Sequence, residues 1–177
     1  MGLLAAVLLV LNIALILQNR KLKQALGESG QGPVPTVGTT IKRLDGTRLN
    51  GSRFIVPFDH DSGLTLLLVF STNCHFCDLN WPQWSLVTRS LEGRAVRVVY
   101  INLNSKLTSD YLGQHGVTEG QVYDQLDPRE QVALNLYVTP LTVLLDANGR
   151  VGHVWVGALG ETDLAQLRSE LARELSR

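Results

Sequence analysis

The segment LTLLLVF, residues 64–70, constrains this chain more than any other. Apart from one threonine it is wholly apolar, whereas a half-solvated strand alternates apolar and polar side chains, so it reads as a strand buried on both faces. Such a strand needs a covering layer on each side, which predicts a three-layer α/β sandwich. A second run, VRVVYINL at 96–103, supplies a neighbouring central strand. Between the two, His75 to about Leu91 has helical character despite Pro82. Strand, helix and strand in that order predict a parallel central pair.

The later pattern adds antiparallel strands and makes the sheet mixed. LTVLLD at 141–146 and VGHVWVG at 151–157 flank Asn148-Gly149, a strong hairpin turn signal. IKRLDGTRLNG at 41–51 is expected to turn at Asp45-Gly46, and RFIVPF at 53–58 to be an edge strand, because Pro57 would spoil a central one. Between 105 and 137, Gly113, Gly116, Gly120 and Pro128 break the pattern into two helices, 106–114 and 129–136, around a short strand near 121–123. A closing helix starts near Glu161 with Leu164, Leu167, Leu171 and Leu175 on one face, and Gly160 and Thr162 are both placed to cap it.

The amino-terminal stretch is of another kind. Residues 2–18 carry no charge; as a helix they rise about 25 Å, slightly short of a hydrocarbon core of about 30 Å. Residues 1–19 are therefore expected to form a transmembrane anchor, with the lipid bilayer as partner through residues 2–18 and Asn12 as one tolerated polar group. A cleaved signal peptide fits less well, since no Lys or Arg precedes the run and no A-x-A site follows it. Residues 20–40 read as a linker, extended around Pro33 and Pro35, and residues 41–177 as the folded domain. Arg20, Lys21 and Lys23 follow the anchor, which by the positive-inside rule holds the domain in the cytoplasm. With 16 basic and 16 acidic residues and no basic patch interleaved with aromatics, nothing recommends nucleic acid as a partner.

Both cysteines of the chain fall in STNCHFCDLNWPQW, residues 71–84. A structural zinc site needs four ligands, and two thiolates with His60, His75, His115 and His153 scattered through different elements argue against one. An inert disulfide between Cys74 and Cys77 would close a very short loop and stabilise little. A redox pair has a physical argument at each step. Cysteines at this spacing on a first helical turn face one side and can bridge. A helix start offers free N–H groups and its dipole to a thiolate, with Thr72 or Asn73 as N-cap. Cys74 is then the exposed nucleophile and Cys77 the shielded resolving thiol. A protonated His75 would favour the Cys74 thiolate; equally, His75 points into water. Phe76 shares the tuning position between the cysteines. Trp81 and Trp84 border a partner groove or fill the core, the core being the commoner fate of a helix aromatic. Asp78 reads first as a solvated first-turn acid.

The domain from about Pro35 onward resembles the thioredoxin superfamily, especially the membrane-tethered bacterial thiol–disulfide oxidoreductases, such as the reductases of cytochrome c maturation and the accessory protein for methylamine dehydrogenase. LLLVFSTNCHFC matches the strand that ends at a C-x-x-C opening a helix, and Pro82, eight residues after Cys74, matches the proline that kinks that helix. Thr139-Pro140 matches the cis-proline facing the C-x-x-C, where the family binds the substrate backbone; without the resemblance it reads as an ordinary strand-leading proline. VGHVWVGALGETDLAQL resembles the last strand, glycine turn and closing helix. The resemblance implies a thioredoxin-like fold behind one membrane helix and a protein-disulfide oxidoreductase working in the reductase direction, with no cofactor beyond the Cys74–Cys77 disulfide. It further implies partners among disulfide-bearing client proteins and a membrane electron donor or acceptor. It places the domain on the periplasmic side of the cytoplasmic membrane, against the basic flank. Three positions depart from the pattern. Asn73 replaces the usual tryptophan, Leu68 stands at the buried acid of thioredoxin, and Asn80 stands where some tethered reductases carry glutamate. These departures keep open a rival reading, a non-catalytic chaperone or assembly factor that uses the fold to dock one client.

Overall fold

The computed structural model describes residues 12, 15–18, 33–58, 63–103 and 105–176. The chain divides into two units, Met1–Gly32 and Pro33–Arg177. In the first, residues 12 and 15–18 are helical; the rest of the expected anchor lies outside the described residues, and among those described no helix is long and apolar enough to cross a membrane.

The second unit contains strands β1 (Arg43–Thr47), β2 (Arg53–Pro57), β3 (Leu64–Phe70), β4 (Val96–Asn102), β5 (Val122–Tyr123), β6 (Gln125–Leu126), β7 (Leu141–Leu145) and β8 (Val151–Val156). Its helices are α1 (His75–Ser90), α2 (Ser109–Gln114), α3 (Pro128–Ala133) and α4 (Glu161–Leu175). The main sheet runs β5-β4-β3-β7-β8. β3 is central, parallel to β4 and antiparallel to β7, and β8 is antiparallel to β7. The mixed sheet around a parallel pair is as expected.

Alternation along β3 divides the core, because successive side chains of a strand point to opposite faces. Leu66, Leu68 and Phe70 pack with Trp81, Trp84 and Val87 of α1 and with Leu167 and Leu171 of α4. Leu67 and Val69 pack with Leu44 of β1, Val56 of β2, and Leu134 and Leu136 beyond α3. Each fully buried side chain of this size stabilises the fold by about 1.5–3 kcal/mol. The third layer is thus mostly a small antiparallel sheet, ordered β2-β1-β6, with β2 at its edge as Pro57 suggested.

Two expectations need correction, and one strand is new. Asp45-Gly46 is not a turn: both residues lie inside β1, and the chain reverses at residues 48–52, where Gly51 N–H donates to Arg48 O (2.9 Å). Asp45 accepts from Arg53 across the hairpin, and a Cβ on Gly46 would lie 2.4 Å from Gln125 O, so both turn-like residues serve strand contacts. β6, whose pairing with β1 crowds Gly46, was not anticipated. Residues 33–40, read as linker, belong to the folded unit: Gly38 N–H donates to Val151 O (2.8 Å) and Val151 N–H to Thr39 O (2.8 Å).

Candidate active site

β3 ends at Phe70, and the next four residues turn the chain into α1. Cys74 itself is the N-cap, extended at φ −107°, with no side-chain capping bond. Neither Thr72 nor Asn73 caps the helix, contrary to the sequence reading. Thr72 is committed elsewhere: its N–H donates to Ser105 Oγ (3.0 Å) and its hydroxyl to Lys106 O (3.2 Å). Ser105 is in turn bonded to Asn102, whose amide also donates to Asp124 Oδ1 (3.2 Å). This polar latch fixes the approach to Cys74 and went unrecognised in the sequence, because its members come from three separate segments.

The two cysteines are unequal in exposure. Cys74 is partly exposed, and Cys77, one turn along, is fully buried. Burial and the neighbouring Cys74 push the Cys77 thiol up to about 12, against weaker opposing hydrogen bonds from Ser71 and Thr139. The sign for stability follows directly. The folded protein holds this thiol neutral, whereas an unfolded chain ionises it near about 8.5. Its contribution is therefore complete below that value and is lost as pH rises toward about 12. The urea midpoint of the reduced protein should fall more steeply between pH 8 and 11 than that of Cys77→Ala; parallel curves would show that Cys77 does not titrate in this window.

Thr139-Pro140 is a cis peptide, as the resemblance implied. Cys74 Sγ donates to Thr139 O at 3.5 Å, and Gly157 N–H donates to Pro140 O (2.9 Å). The C-x-x-C turn, the cis-proline and the end of β8 therefore meet around Cys74. Exposed apolar side chains lie in or next to these three segments in the chain: Phe76 (63% exposed), Tyr137 (44%) and Val156 (37%). Tyr137 and Val156 were not singled out in the sequence; an exposed apolar residue beside each site segment is the signal that marks them.

His75 is exposed, with its ring near that of Phe76. Trp81 and Trp84 are core: Trp84 Nε1 donates to buried Thr142 Oγ1 (2.9 Å), and Trp81 Nε1 donates to Tyr111 Oη (3.0 Å) while stacking on His115. Burial lowers His115 and raises Tyr111, with exposed Asp78 nearby favouring the charged His115. Asn80 is buried, and its carbonyl accepts from Leu159 N–H (2.9 Å), tying the turn after β8 to α1. Its amide nitrogen has no hydrogen-bond partner. Among the described residues no three His, Cys, Asp or Glu side chains gather to hold a metal, and His60 lies outside them.

No protein-family model matches the chain, and no curated protein matches it. Solved structures do. A thiol:disulfide interchange protein of the thioredoxin family from Chlorobium tepidum is 22% identical, with 82% of this chain and 99% of that one covered at a TM-score of 0.60. A DsbF homologue from Corynebacterium diphtheriae is 18% identical over 80% of this chain and 94% of its own, at a TM-score of 0.62. StoA from Bacillus subtilis is 18% identical over 79% and 97%, at 0.51. On these likenesses the fold of residues 33–176 is thioredoxin-like.

Proposed function

We propose that the chain is a thiol–disulfide oxidoreductase that reduces disulfides of extracytoplasmic client proteins. It would be tethered to the cytoplasmic membrane through residues 2–18 and re-reduced by a membrane electron donor. The observation that carries this reading is the 3.5 Å contact between partly exposed Cys74 Sγ and Thr139 O at the cis-proline, with Cys77 buried one turn behind. The Cys74 thiolate attacks a client disulfide, a Cys74–client bond forms, and the first client sulfur leaves as thiolate and takes a proton. Cys77 then loses its proton and attacks Cys74 Sγ. The second client thiol is released, and the Cys74–Cys77 disulfide carries away the client's oxidising equivalent. An external dithiol returns two electrons.

The test is equilibration of the full chain in defined thiol–disulfide buffers, with the dithiol fraction read by alkylation and mass. A midpoint near thioredoxin's value of about −270 mV supports the reductant, and one toward about −120 mV makes it an oxidant. A pair that never cycles overturns the reading. One observation favours a docking or assembly role instead: Asn80 supplies a neutral amide, not a carboxylate, on the turn after Cys77, and offers no base for its proton. Client maturation that survives replacement of both cysteines would select that role.

A further inference from the structure

β4 is paired with β3 along its whole length, but with β5 only at Tyr100 and Ile101. Beside residues 96–99 no strand lies on that second side among the described residues. Main-chain groups of successive strand residues point alternately to either side. Leu103 N–H and Ala95 O both turn toward β3, bonding Phe70 O and Leu64 N–H. Val98, in the opposite phase, therefore turns its N–H and C=O to the open side.

A groove of about 870 Å³ runs along this edge. One wall is β2, on one face of the main sheet, and the other is the end of α1 and the turn after it, on the opposite face. Arg89, Arg94 and Arg97 lie along the groove, with Glu92 the one carboxylate in its lining. Among the described residues none of the three arginines is in an ion pair: Arg89 Nε donates to Ser85 O (3.1 Å) and Arg97 Nη1 to Pro57 O (3.1 Å). Arg97 thus lies against the β2 wall, and Arg89 and Arg94 lie on the α1 wall. A strand entering here would turn alternate side chains toward each wall and meet positive charge on both.

We propose that this groove binds an extended acidic segment of a partner protein, which adds to β4 as a further strand through Val98 and sets carboxylates against Arg89, Arg94 and Arg97. A second copy of the chain is the poorer occupant, since pairing β4 with β4 brings like-charged arginines together. An edge arginine can also act as a mere guard against strand pairing; a guarded edge takes no peptide, which separates the two roles. Val96 aligns with Leu64 at the start of β3, whereas Cys74 follows its end, so the groove and the thiols lie about 20 Å apart along the sheet. Docking here leaves Cys74 open, and the proposal does not depend on redox activity.

The probe is a fluorescein-labelled seven-residue peptide, Val-Glu-Glu-Val-Glu-Glu-Val, which carries glutamates on both faces of an added strand, titrated against the full chain by fluorescence anisotropy. Binding should weaken with salt and fall at least tenfold with Arg94→Glu/Arg97→Glu, with Arg89→Gln as a milder variant should the double one misfold. Two N-methylated peptides, blocked at the even or at the odd positions, test strand addition on the unaltered protein. One should lose at least tenfold while the other binds as before, because an added strand uses one edge. Equal binding of both peptides overturns strand addition, and equal binding of a Lys-for-Glu peptide overturns the acidic specificity. Binding to phosphatidylglycerol vesicles but not to the peptide, salt-insensitive self-association through this edge, or no binding at all would each overturn the proposal.

Discussion

Cys77→Ala is expected to accumulate a covalent adduct with a disulfide-bearing peptide, on Cys74, and to hold it at least a thousandfold longer than the unaltered protein does. Exposure decides which sulfur attacks: Cys74 is partly open and Cys77 is fully buried. With two cysteines in the chain, removal of Cys77 removes the only internal thiol able to resolve the adduct. An internal thiol held one turn away acts at an effective concentration orders of magnitude above external thiol, so its loss costs about 10³-fold or more in resolution. Cys74→Ala should form no adduct under the same conditions. Intact-protein mass against time, after a pulse of peptide disulfide, measures both. Release from Cys77→Ala at the unaltered rate would show that the cysteines do not work as a pair. An adduct on Cys77 in Cys74→Ala would show that exposure assigns the roles wrongly.

The same experiment bears on Asn80. In the unaltered protein the resolving step must take a proton from a thiol that burial keeps neutral. Asn80, buried on the same helix, is bonded to the Leu159 main chain instead of acting as a base. Of the departures from the resembled pattern, Asn80 would bear on the second half of the exchange proposed above, and the contact between Cys74 and Thr139 that would serve the first half is in place.

What was legible in the sequence is what local pattern controls. LTLLLVF is central and buried because a strand without polar alternation has no other place to go. The Asn148-Gly149 hairpin follows from two residues, and Cys74 meets Thr139-Pro140 in the register that the resemblance implied. Distant pairing governs what was not legible. Asp45-Gly46 has turn chemistry, but an arginine eight residues away and a strand some eighty residues on claim it for β1. Thr72 and Asn73 have the chemistry of caps, but the latch at Ser105 draws Thr72 away and leaves Cys74 at the helix start. The open edge of β4 is likewise invisible locally, since it depends on β5 being only two residues long.

Gly149→Ala should be the most damaging single methyl in the folded unit, and Gly93→Ala isolates the reason. Both glycines are left-handed, at φ +73° and +75°. Around Gly93 no atom lies within 4 Å of an added Cβ, so alanine there meets only the backbone cost of the left-handed region, about 1–2 kcal/mol. At Gly149 the same Cβ would lie 2.2 Å from Ile41 O and 2.8 Å from Phe58 Cγ. Ile41 cannot retreat freely, because its own N–H donates to Gly149 O (3.0 Å) and residues 38–40 are bonded to the hairpin beside it. Phe58 is packed into the core beneath the small sheet. Adding overpacking of about 1–3 kcal/mol brings the expected total to about 2–5 kcal/mol. For a unit of this size that is a fall of roughly 10 °C in Tm, against about 3 °C for Gly93→Ala. Denaturant melts of both variants give the difference directly. Equal losses would mean that the docked segment at residues 38–41 yields at no cost, and that its bonds to the hairpin do not hold the hairpin in place behind Pro140.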